Sequence, residues 1–144
     1  MHFLQFLALP VVLLLLAAPL AAARAADNIE SQDPPVQYRI NIMEGVSHNA
    51  AAIGVVLRYK LPQTQNLALH ADAIALGARA ALTAFEPKVA GGVAKPTVWE
   101  NWKDFSTRLT QLAAAAEDVA KTARATGPDP AKINAMFGMC KSCH

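Results

Sequence analysis

Apolar residues along most of this chain return every three or four positions, the spacing of one face of an α-helix. Val36, Ile40, Met43, Val46, Ala50, Ile53 and Leu57 form one such stripe and predict a helix from Asp33 to about Lys60. Asp33 is a good N-cap, Pro34-Pro35 is tolerated in a first turn, and Pro62 follows the last apolar position. A second stripe of Leu67, Ala71, Ile74, Ala78 and Leu82 predicts a helix over residues 64–85, ending before Pro87 and weakened in propensity by Gly77. Residues 86–96 read as a loop around Gly91-Gly92. Thr97-Val98-Trp99-Glu100 has the form of a capping box opening a third helix. That helix continues through Phe105, Leu109, Leu112, Ala116 and Val119 to Gly127-Pro128, glycine at the exit and proline just beyond. Asp129-Pro130 opens a fourth, which puts Ile133, Phe137, Cys140 and His144 on one stripe and runs to the last residue. No segment alternates apolar and polar residues, so no strand is expected. The prediction is an all-α chain folded as an antiparallel four-helix bundle, an architecture that builds cofactor sites between facing helices.

The first residues break the helical pattern. Leu4 to Ala23 is almost wholly apolar, and Ala23-Arg24-Ala25 fits a small-x-small cleavage site. Residues 1–25 are read as a secretory signal peptide and residues 26–144 as one domain, exported to the periplasm. An uncleaved segment would instead anchor the chain in a membrane, since the stretch is near spanning length. Charge adds little: 13 basic and 11 acidic residues give a formal +2, with no polybasic run, so no nucleic-acid partner is expected.

The chemistry is concentrated at the other end, in Cys140-Lys141-Ser142-Cys143-His144. Cys-x-x-Cys-His is the attachment signature of a c-type haem. Two thiols three residues apart lie on one side of a helical turn, where each can form a thioether to a porphyrin vinyl group, and the adjacent imidazole can bind the iron. The alternatives are a redox or disulfide pair, which would be expected to follow a strand and open a helix, and half of a zinc site, which lacks two ligands. Haem would also fill a core short of large side chains. Several hundred Å² of buried macrocycle at about 25 cal/mol per Å² contributes on the order of 10 kcal/mol gross, so the haem-free chain is expected to pack loosely. No general-base or nucleophile constellation is visible, and no enzyme is expected.

Three blocks carry a resemblance, in order along the chain. They are Tyr38-Arg39-Ile40-Asn41-Ile42-Met43; Ala84-Phe85 with Gly91-Gly92-Val93-Ala94-Lys95-Pro96-Thr97-Val98-Trp99; and Phe137-Gly138-Met139-Cys140-Lys141-Ser142-Cys143-His144. With them the chain resembles the class II cytochromes c, the cytochrome c' family, which is marked by a four-helix bundle and a haem motif near the C-terminus. The resemblance implies haem c held covalently by Cys140 and Cys143, with His144 as the proximal iron ligand. The residue four after the first-helix arginine faces the sixth coordination site in that family. Here it is Met43, as in the low-spin members, so the resemblance implies histidine/methionine ligation and a one-electron carrier serving redox partner proteins. With Met43 as a packing residue, the implied alternative is a five-coordinate protein that binds nitric oxide or carbon monoxide. Arg39 is implied to meet a haem propionate. His48 and His70 are expected at the surface, and Trp99, Trp102, Phe105, Phe85 and Phe137 in the core. Family members are often homodimers through their first two helices. They usually continue past the histidine, often with a basic residue, whereas this sequence stops at His144.

Overall fold

The structure is a computed structural model and describes residues 33–144. The expected signal peptide, residues 1–25, lies outside the described residues. The described chain is helical throughout: α1 Pro34–Arg58, a 3-10 turn Thr64–Asn66, α2 Leu67–Ala84, the single turn α3 Thr97–Glu100, α4 Trp102–Thr126 and α5 Pro130–Lys141. The four long helices are those expected, and no strand occurs among the described residues.

Local chemistry explains most of the boundaries. Asp129 caps α5, its Oδ1 accepting from the amides of Ala131 at 2.9 Å and Lys132 at 3.4 Å, with Pro130 in the first turn. Asp33 stands at the N-cap of α1, but its side chain makes no capping bond. Gly127 leaves α4 at φ 92, a backbone conformation that favours glycine.

The third predicted helix is two pieces. Thr97 does not cap; Pro96 occupies the N-cap position and no side-chain cap forms. The chain makes one turn, breaks at Asn101 with φ −112 and ψ 41, and restarts as α4. Trp99 holds that turn against the end of α2, its indole N–H donating to the Phe85 carbonyl at 2.7 Å. The last helix is also shorter than predicted. It stops at Lys141, and Ser142 and Cys143 form a turn. The amides of Cys143 and His144 both reach the Cys140 carbonyl at 3.3 Å, which keeps the motif wound.

Each helix packs along its successor in the order α1, α2, α4, α5, while α1 and α5 share no extended contact. Exposed ion pairs fix the antiparallel register. Asp72 near the start of α2 pairs with Arg124 near the end of α4, and Arg79 pairs with Glu117. Lys132 Nζ of α5 bonds Asp118 of α4 at 2.9 Å. Such pairs contribute about 0–1 kcal/mol each, so they set alignment more than stability. This register brings the start of α1, the end of α2, the start of α4 and the end of α5 to one end of the bundle.

The core has two parts. The larger joins Val46, Ile53 and Val56 of α1 to Ala71, Ile74 and Ala78 of α2, Ala116 and Val119 of α4, and Ile133 and Met136 of α5. The smaller lies at the shared end, where Ala81, Ala84, Phe85 and Leu109 support the half-buried Met43, Trp99, Trp102 and Phe105. Among the described residues, nine of the twenty-one buried apolar ones are alanine, so α2 and α4 approach closely while little bulk fills the space beside them.

Gly77 marks the tight contact between α1 and α2. A Cβ there would lie 2.5 Å from Cγ2 of Val46, a stiff β-branched side chain only 5 % exposed. Alanine gains about 1 kcal/mol in helix propensity but overpacks at about 1–3 kcal/mol. A Gly77→Ala variant is therefore expected to be less stable, read as a lower urea midpoint at unchanged slope.

Candidate haem site

The Cys-x-x-Cys-His turn sits at the end of α5, half in and half out of the core. Cys140 is half-buried beside Phe137 and Met139 at the margin of the larger cluster, with Sγ 3.9 Å from the Met136 carbonyl. Cys143 and His144 are exposed. Burial pushes the Cys140 thiol above its ordinary pKa, and the neighbouring Cys143 adds to the rise. Thiolate is the reactive form, so in the haem-free protein Cys143 is expected to alkylate several-fold faster than Cys140, measured by mass spectrometry of a timed iodoacetamide reaction.

A residue that the sequence did not single out holds this turn. Arg108 of α4 donates Nη1 to the Ser142 carbonyl at 3.2 Å and Nε to Asp104 Oδ2 at 2.7 Å. The hydrogen bond and charge of Asp104 hold the guanidinium pKa above its ordinary value. Arg108 satisfies one of the carbonyls a helix end leaves open. It brings a positive charge to the motif from another helix. Only the register of α4 against α5 reveals it, since the two positions are 34 residues apart.

The other wall comes from the start of α1. Met43 is half-buried in the smaller cluster, which also contains Ile42, Ala94 and Val98. Arg39, one turn before it, is 1 % exposed. Its guanidinium lies 5.2 Å from the Trp99 ring centre and 5.8 Å from that of Phe85. Nη1 donates to the Val89 carbonyl at 2.8 Å and Nη2 to the Gly91 carbonyl at 2.7 Å. Burial lowers its pKa. No carboxylate pairs with it among the described residues.

Antiparallel packing thus carries Met43 and the Cys-x-x-Cys-His turn to the same end of the bundle, on the two long helices that lack an extended mutual contact. That end combines an apolar lining, two free thiols and an imidazole on one turn, and the thioether sulfur of Met43 on α1. This donor set fits a covalently held haem. His48 is exposed. His70 is half-buried rather than on the surface, its Nδ1 meeting Asn49 Oδ1 at 2.9 Å. Asn49 donates its side-chain amide to the Gly45 carbonyl at 2.8 Å. Among the described residues no group of three or more His, Cys, Asp or Glu side chains gathers as a metal-ion site.

Comparison with known proteins bears directly on this arrangement. The sequence profile of the family described as Cytochrome C' matches residues 34–144. The chain belongs to the cytochrome c' family. The cytochrome c' of Rhodospirillum rubrum is 31 % identical over 139 residues, covering 91 % of this chain and 94 % of the relative. The cytochrome c' of Pararhodospirillum photometricum is 30 % identical over 121 residues, covering 79 % of this chain and 95 % of the relative. No solved structure matches. Cytochrome c' proteins carry covalently bound haem c with iron and are not enzymes, so this chain is a haem protein of that family.

Proposed function

We propose that this chain is a one-electron carrier whose haem c is held by thioethers to Cys140 and Cys143, with His144 and Met43 as the axial ligands of its iron. When bound, haem c supplies the ferric/ferrous couple. The observation that carries this reading is the half-burial of Met43 at the bundle end that also bears the Cys-x-x-Cys-His turn. Methionine with histidine is the ligand pair of electron-transfer cytochromes and raises the reduction potential. Cys140 anchors one side of the macrocycle from the core margin, Cys143 the other from the surface, and Arg108 steadies the turn between them. The donors of Arg39 not used by the loop suit a haem propionate.

The second reading is an iron left open to nitric oxide or carbon monoxide, with Met43 only packing. The relatives' name fits it about as well. Carbon monoxide separates the two. With Met43 bound, the reduced holoprotein keeps sharp low-spin bands and resists the gas; a high-spin spectrum and rapid, complete binding would replace the carrier by the gas-binding protein.

The mature protein is proposed to be residues 26–144, acting in the periplasm after removal of residues 1–25. Redox partner proteins exchange its electron. A homodimer through α1 and α2 accords with the exposure of Val55, Tyr59, Leu69 and Leu76 on or beside those helices. Sedimentation of the holoprotein tests it.

A further inference from the structure

Arg39 is buried and held in the protein itself, apart from any haem propionate its remaining donors would meet. A guanidinium 1 % exposed, with no carboxylate partner among the described residues, is costly to bury. Something must hold it, and the structure shows what does. Val89 and Gly91 turn their carbonyls onto its two terminal nitrogens, and Phe85 and Trp99 lie within cation–π range. Trp99 is itself fixed by its bond to the Phe85 carbonyl. The carbonyls belong to a segment with little regular structure of its own: residues 86–96 contain no helix or strand.

The loop is also fitted to α1 by shape. Gly92 has φ +57, and a Cβ on it would lie 3.1 Å from Ile40 Cδ1 and 3.5 Å from Val36 Cγ1. The chain just after this point, Ala94, Val98 and Trp99, shares the smaller apolar cluster with Met43. Arg39 and Met43 are one turn apart on the same helix, so they share a face. A loop fastened at Arg39 is therefore fastened beside Met43.

We infer that Arg39 is a positioning residue that clamps the 86–96 loop to α1 and, through that loop, restricts small-ligand access to the haem side on which Met43 lies. The access half rests on the proposed haem placement; the clamp does not. Both terminal nitrogens are used, Nη1 on the Val89 carbonyl and Nη2 on the Gly91 carbonyl. Lysine keeps the charge but offers a single nitrogen, so it cannot replace arginine here. This role differs from partnership with a propionate, which would act through charge and leave the loop unaffected.

The test uses the holoprotein in three variants: Arg39→Gln, Arg39→Lys and Gly92→Ala. Hydrogen exchange of peptides spanning residues 86–96 reads the clamp, and the rate of carbon monoxide combination with the reduced protein reads access. Exchange in the loop is expected to accelerate about tenfold or more in both Arg39 variants, with helices α2 and α4 unchanged. Carbon monoxide is expected to combine several-fold faster in all three. Gly92→Ala strains the loop from its own side while leaving Arg39 in place, so it separates action through the loop from action through charge. Unchanged loop exchange in both Arg39 variants would overturn the clamp. Faster exchange with unaltered gas kinetics would overturn the access role. A faster rate in the Arg39 variants but not in Gly92→Ala would overturn transmission through the loop. If the unsubstituted protein itself binds the gas rapidly, histidine/methionine ligation fails, yet loop exchange and the variant-to-parent rate ratio still decide the inference.

Discussion

A Cys140→Ala/Cys143→Ala variant is expected to emerge with no covalent haem and with its outer helices loosened. The first part follows from chemistry: without thiols no thioether forms, and the mass increase of the attached group disappears. The second follows from where bulk is missing. Helices α2 and α4 pack through small side chains, Ala71, Ala75 and Ala78 against Ala113, Ala116 and Ala120, and that contact needs nothing between them. Helices α1 and α5 are each carried by one of the central pair and lack an extended contact with each other. A macrocycle burying several hundred Å² would contribute on the order of 10 kcal/mol gross, comparable with the whole net stability of an ordinary domain. Its loss is therefore expected to leave far-ultraviolet circular dichroism largely helical. The near-ultraviolet signal of Trp99 and Trp102, which sit at the same end of the bundle as the Cys-x-x-Cys-His turn, should collapse. A variant that keeps sharp near-ultraviolet bands would show that the bundle closes on its own side chains.

Met43→Leu is the second substitution with a large expected effect. Leucine matches methionine in volume, so the cost in stability is expected to stay below about 1.5 kcal/mol. What changes is the sulfur. If Met43 closes the sixth position, its replacement converts a low-spin reduced spectrum to a high-spin one, allows complete carbon monoxide binding and lowers the reduction potential. A shared spectrum and gas affinity in parent and variant would make Met43 a packing residue and move the protein to the gas-binding side of its family. Reading both variants by thermal unfolding guards against a fold effect, because Met43 also contacts the smaller cluster.

The helical stripes and their proline and aspartate punctuation were legible because they are local. Asp129-Pro130 behaves as its residue types require, and so do the exits at Gly127 and before Pro62. The break at Asn101 was not legible. No glycine or proline marks it, and it depends on Trp99 reaching the Phe85 carbonyl 14 residues away. The buried stripe of α5 was read one step off: Met136 joins Ile133 in the core, both at most 2 % exposed, while His144 stays outside. Helix periodicity alone could not choose between Met136 and Phe137 without knowing which side of α4 would receive them. The thiols and imidazole were legible as a motif, but Arg108 was not, since its role exists only once two helices are aligned. Arg39 was noticed for its charge, and its burial against loop carbonyls reflects a tertiary contact spanning 50 residues.

The alanines between α2 and α4 act as a spacer as well as a core. Helix α1 rides on α2 and α5 rides on α4, so the separation of the inner pair determines how far apart the outer pair stands. A larger residue at Ala78 or Ala116, both fully buried, would push the inner helices apart and carry the outer ones with them. The separation of α1 and α5, between which the haem is proposed to lie, is thus set by methyl groups of the inner pair. Spectral changes on substitution there would be heritable tuning at a distance, open to selection without any change in the residues that bind haem.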